Sequence, residues 1–266
     1  MTLIGSFLMA IKRSFSWVYW VTLGFLFSIS IHASATTRIA AASSLQLALS
    51  EIAEAFLTDF PDAYLSLTFG SSGVIASQIQ QGAPFELFLS ADVVNVDRLA
   101  SSGWLDAKPY DYALGQLAFY SRQPLEATTA RDALNAWLTV RGEHSKIAIA
   151  NPRHAPFGIA AEGWLSHLDQ LDRVRGFLVQ GDNVGQAVQF VLSGSAETGI
   201  VAWSLLKNRD DLQGDSWLIP TSEYPPLVQR AALIKGAGQI AQDFYQFIQT
   251  PKAKQIFIHH GFGALE

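Results

Sequence analysis

The stretch FGSSGVIASQIQQGAPFELFLSAD, Phe69 to Asp92, decides how this chain is read. The alternating run YLSLTF that leads into it has the two-residue period of a strand, VIASQIQQ reads as a helix near Val74 to Gln81, and ELFLSA reads as the next strand. Strand, helix and strand in so short a span point to an α/β fold with a largely parallel sheet. The break between the first strand and the helix, FGSSG, places two serines between glycines. Glycine lets backbones approach closely, and serine brings a hydroxyl donor without charge.

The same alternation extends in both directions. Upstream, RIAAA feeds SLQLALSEIAEAFLTDF, in which Ile52, Ala53, Phe56 and Leu57 keep helical spacing until Pro61 ends the helix. Downstream of ELFLSA a helix is expected around Val94 to Ser101. A second series starts near Leu117, with LAFYS, ARDALNAWL, KIAIA, FGIAAEGWLSHL, RVRGFLVQ, VGQAVQFVLSG and TGIVAW alternating strand-like and helical runs. After WLIP, QRAALIKG gives one more strand and the remainder one or two helices that return to cover the first sheet. The expected organisation is residues 36–115 as the first part of lobe 1, 116–222 as lobe 2 and 223–266 as the return to lobe 1. The chain is expected to cross between lobes near Gly115 and near Pro220 to Pro226.

Residues 1–35 are set apart. Lys12 and Arg13 precede an apolar run from about Phe15 to Ile31, and Ala33-Ser34-Ala35 supplies the small residues of a cleavage site, so a secretory signal peptide and a periplasmic location are expected. Beyond it lie 16 Lys and Arg against 23 Asp and Glu, a formal charge of −7, which gives no footprint for nucleic acid. There is no cysteine, which excludes disulfides, thiolate metal sites and cysteine nucleophiles.

FGSSG is one of four loops of a kind. AASSL (Ala41 to Leu45), NPRHAPFG (Asn151 to Gly158) and QGDNVG (Gln180 to Gly185) also stand between an apolar strand-like run and a helix start. In an open parallel sheet such turns gather at the carboxyl edge, where ligands bind. Each presents unpaired N–H groups and the positive end of a helix dipole, which suit an anion. Ser44 and Ser72 are placed to offer hydroxyls, and the amides near Phe157 and Val184 to offer N–H. Arg153 is the one cationic residue in these loops. Taken singly, each loop also reads as an N-cap or a turn. The scattered histidines, including His259-His260, read as solvated or packed rather than metal-binding, and Trp137, Trp164, Trp203 and Trp217 as packing rather than a sugar platform.

Taken together, AASSLQLAL, FGSSGVIASQIQQGAPFELFLSAD, NPRHAPFGIAAEGWL, DNVGQAV, GIVAWS and GFGAL resemble the periplasmic molybdate-binding proteins of ABC importers, in order and over most of the chain. The resemblance implies a two-lobed type II periplasmic binding protein fold that closes on a tetrahedral oxyanion, molybdate or tungstate. It implies no catalysis, no cofactor and no metal ligation by the protein, a membrane permease as partner, and a monomer. Carried across by motif, the contacts to the oxyanion fall at Ser44, Ser72, Phe157 and Val184, with Asp92 of SAD in a structural place. Many members have a tyrosine after G-I-V where this chain has Ala202, so Ser43 is a candidate to compensate. Two other readings stand beside this one. The chain could bind sulfate, thiosulfate or a sulfonate, or be an exported serine hydrolase using Ser44 or Ser72 with His154, for which no further signature is present.

Overall fold

Near-continuous apolar runs make the inner strands, and more polar ones the edges. The computed structural model describes residues 36–265; the expected signal peptide lies outside them. β1 (Thr37–Ala42) is buried on both faces along Ile39 to Ala42 because helices cover the sheet on either side. A short 3-10 turn, Ser43–Leu45, leads into α1 (Gln46–Asp59). Then follow β2 (Leu65–Gly70), α2 (Ser72–Gln80), β3 (Leu87–Ser90), α3 (Val94–Ser101) and β4 (Tyr110–Gly115). The second series runs β5 (Leu117–Ser121), α4 (Ala130–Val140), β6 (Ile147–Ala150), α5 (Pro156–His167), α6 (Leu171–Val174), β7 (Leu178–Gly181), α7 (Val184–Leu192), β8 (Thr198–Ala202) and β9 (Asp215–Leu218). β10 (Leu227–Leu233), α8 (Gln239–Phe247) and α9 (Pro251–His259) complete the fold.

The strands form two five-stranded sheets, in the orders β2-β1-β3-β10-β4 and β7-β6-β8-β5-β9. Each sheet is parallel but for one reversed strand. β10 pairs antiparallel with β3 and β4, and β5 pairs antiparallel with β8 and β9. Those two strands are the ones that follow a change of sheet: the chain passes from β4 to β5 through Gln116, and from β9 to β10 through residues 219–226. The architecture is two α/β lobes, each a mixed five-stranded sheet flanked by helices, as the sequence leads one to expect.

Aromatic packing fixes the covering layers. Phe56 of α1 stacks on Phe60 at 4.3 Å and meets Phe244 and Phe247 of α8 edge-on at 5.0 and 5.5 Å, so the C-terminal helices do pack back on the first sheet. Phe257 of α9 lies 4.9 Å from Tyr112 of β4. Around the second sheet, Phe119 sits between Trp164 at 6.2 Å and Trp217 at 6.3 Å. Trp164 is fully buried with its indole N–H on Glu223, so it serves as core, in agreement with its sequence reading. Two strands had no clear sequence signal, β4 and β9. Both are edges, and YDYALG and DSWL carry the polar residues that a half-exposed strand tolerates. RVRGFLVQ is strand only at its end: Arg173 and Val174 close α6, a 3-10 turn follows, and β7 begins at Leu178.

Candidate functional site

The four turns singled out in the sequence follow β1, β2, β6 and β7. β1 and β2 are neighbours in one sheet, β6 and β7 in the other, and all these pairs are parallel, so their carboxyl ends lie side by side within each lobe. The structure brings Ser43, Ser44, Ser72, Phe157 and Val184 to the lining of one small cavity. Its volume of about 10 Å³ is room for about one water-sized sphere, far below what an organic ligand needs. None of the residues lining it is charged.

Its hydroxyls are oriented by what they already accept. Ser72 opens α2; its Oγ accepts the N–H of Ala91 at 3.0 Å, which leaves its proton free to be donated. Ser43 Oγ likewise accepts the N–H of Gly185 at 3.1 Å, a bond from the first lobe to the second. Ser44 Oγ is fully buried and has no hydrogen-bond partner among the described residues. A buried hydroxyl left unmade costs about 1 to 3 kcal/mol, so a partner is expected to reach it.

The second lobe offers main-chain donors. α5 begins with Pro156, whose fixed φ suits the first helical position, and Phe157 follows it. α7 begins at Val184 behind Asn183, whose side chain caps the helix by accepting from the N–H of Gln186 at 3.0 Å. Neither the Phe157 nor the Val184 N–H makes a hydrogen bond within the described residues. Both stand where the positive ends of the two helix dipoles meet the cavity.

Neighbouring residues hold the lobes together. Gly73 donates its N–H to the carbonyl of His154 at 3.0 Å, and Ser71 donates its hydroxyl to the same oxygen. His154 Nδ1 lies 3.0 Å from Ser71 Oγ. Thus the imidazole pairs with Ser71, rather than with Ser44 or Ser72 as a hydrolase would need, and the Ser71 proton is committed to a carbonyl. Glycine is required at 73 because a Cβ there would stand 2.7 Å from the His154 oxygen. In FGSSG, therefore, both serines line the cavity, but the first also spends its proton on His154, and with the last glycine it joins the lobes.

Other sequence expectations resolve plainly. Asp92 accepts from Ser90 Oγ and from both the N–H and side-chain amide of Asn95, so it ties the end of β3 to the first turn of α3, a structural role. Arg153 is exposed and does not line the cavity, and Asp182 is likewise exposed and outside it. Ala202 is buried at the end of β8 and is not part of the lining, so no side-chain donor is supplied from that position. Sequence reasoning missed Ser71, Gly73 and Ser204, whose partners lie 80 or more residues away.

Residues 37–263 match the family described as bacterial extracellular solute-binding protein. Among similar proteins, the molybdate-binding protein ModA of Rhodobacter capsulatus is 31% identical over 243 residues, covering 90% of this chain and 93% of the relative. ModA of Azotobacter vinelandii is 33% identical over 234 residues, covering 86% and 90%. The solved periplasmic molybdate-binding protein of Azotobacter vinelandii superposes with a TM-score of 0.78 at 28% identity, covering 86% of this chain and all of that one.

Proposed function

The chain belongs to the bacterial extracellular solute-binding proteins, and we propose that it captures molybdate outside the cytoplasm and delivers it to the permease of an ABC importer. It is a binding protein and not an enzyme. The observation that carries the ligand assignment is the buried, unpartnered Ser44 hydroxyl in a small cavity lined wholly by uncharged residues. Ser43, Ser44 and Ser72 would donate O–H, and Phe157 and Val184 would donate N–H. A dianion leaves water only if many such bonds replace its hydration.

The same donor set bears on selectivity. Molybdate, tungstate and sulfate carry no proton at neutral pH, whereas much of the phosphate population does and would point a hydroxyl at a shell of donors. Asp182, the carboxylate that could have accepted that proton, is exposed and outside the lining. Sulfate is smaller than molybdate, so in a shell spaced for molybdate some of its bonds are stretched and weak. Tungstate, nearly equal in size, is bound as well.

In the proposed cycle an open cleft admits the anion and the closed form is stabilised because it completes the shell. The strand membership of the two sheets supports a lobe 1 of residues 36–115 and 223–266 and a lobe 2 of residues 116–222; we further take residues 1–35 as the export signal and the mature protein as a monomer. Titration calorimetry of the mature protein against molybdate, tungstate, sulfate and phosphate tests the reading. Molybdate and tungstate bind much the more tightly; a preference for sulfate or phosphate overturns the assignment.

A further inference from the structure

The Ser43–Leu45 turn carries the unpartnered Ser44 hydroxyl, and its backbone is held from the opposite lobe. Ser204 lies in the 3-10 turn Trp203–Leu205 just after β8. It is buried, and its hydroxyl donates to the carbonyl of Ser44 at 2.7 Å, across 160 residues of sequence. Ser204 does not line the cavity. Its proton is spent on the backbone of the residue that faces the ligand, and Ser43 Oγ, one residue earlier, is tied to the N–H of Gly185. The turn is therefore gripped at two successive residues by the second lobe.

Building on the functional reading above, we propose that Ser204 is a positioning residue that sets ligand affinity by fixing the Ser44 peptide, so that the Ser44 hydroxyl points into the cavity. A 3-10 turn of three residues has few internal bonds of its own to hold a side chain on target. With the Ser44 carbonyl pinned, the serine loses the freedom to swing its Oγ toward that oxygen's vacant lone pairs or toward a neighbouring carbonyl, and its proton is left for the anion. This also accounts for the corner where Ala202 stands. The chain there supplies a hydroxyl two residues later, and that hydroxyl acts on the ligand through Ser44 instead of touching it.

The test is a double-mutant cycle read by calorimetry with molybdate on Ser44→Ala, Ser204→Ala and the double variant, alongside thermal unfolding without ligand. Wild-type binding is the control: if the unaltered protein binds neither molybdate nor tungstate, the functional reading itself fails. Given wild-type binding, Ser204→Ala weakens affinity about fivefold, the size of one ordinary hydrogen bond. In the Ser44→Ala background the same change has no further effect on affinity. Ser204→Thr, which keeps the hydroxyl, returns affinity to the wild-type value. Unchanged affinity in Ser204→Ala, additive losses in the double variant, or a threonine variant as weak as the alanine one would each overturn the proposal. A purely structural role would lower the ligand-free melting temperature without that non-additivity.

Discussion

Replacing Gly73 with alanine separates lobe closure from folding. Gly73 is the second residue of α2, and its N–H donates to the His154 carbonyl of the other lobe at 3.0 Å. A methyl on its Cα would lie 2.7 Å from that oxygen and 3.2 Å from His154 Cα and Cβ, whereas ordinary contact starts at 3.4 Å. The two backbones must therefore part by about 0.7 Å, the difference of those distances. That stretches the 3.0 Å bond past the useful range of a hydrogen bond and takes the Ser71 hydroxyl bond to the same oxygen with it. Two bonds at about 0.5 to 1.5 kcal/mol each give about 1 to 3 kcal/mol, or about 5- to 150-fold in Kd. Within α2 the change is neutral or favourable, since alanine is the better helix former. Calorimetry with molybdate and thermal unfolding without ligand are measured together: affinity drops while the melting temperature holds or rises. Unaltered affinity would refute the argument, and so would an affinity loss matched by an equal loss of ligand-free stability.

The cavity serines should diverge in their side effects. Ser44→Ala removes an unpartnered buried hydroxyl and raises ligand-free stability by up to about 1 kcal/mol while weakening binding, whereas Ser72→Ala strands the Ala91 N–H and lowers both, binding by about 1.5 to 3 kcal/mol; melting curves and calorimetry distinguish the two. Val184→Pro deletes a proposed ligand donor at the first helical position, where proline is accommodated, and Asn183 before it is already extended, at φ −150° and ψ 173°. Its Kd rises at least about tenfold with helix content unchanged by circular dichroism, while Val184→Ala stays near wild type. Burial holds the Tyr112 phenol neutral well above its ordinary range, so the unfolded chain loses that proton first. Stability is full below about pH 10, falls as pH rises beyond it, and falls less steeply in Tyr112→Phe, as denaturant titrations between about pH 9 and 11 would show.

Much of this was legible in the sequence because it is local. A strand followed by a serine or glycine turn and an amphipathic helix announces itself within about twenty residues, and four such units placed Ser43, Ser44, Ser72, Phe157 and Val184 on turns that the structure gathers around one cavity. The edge strands β4 and β9 escaped because an edge needs no continuous apolar run. The division of labour inside FGSSG was hidden for another reason: Ser71 and Ser72 are the same residue type side by side, and only the position of His154, 83 residues on, decides which of the two has its proton committed. Ser204 was equally invisible, since a hydroxyl bonded to a distant carbonyl leaves no periodicity behind it.

The uncharged lining has a consequence for unloading. A trap whose walls neither gain nor lose protons keeps its grip as the surroundings acidify, for as long as the cargo retains its own charge. Acidity then offers no means of discharge. The halves have to be pulled apart, and the work of doing so must come from whatever machine receives the cargo.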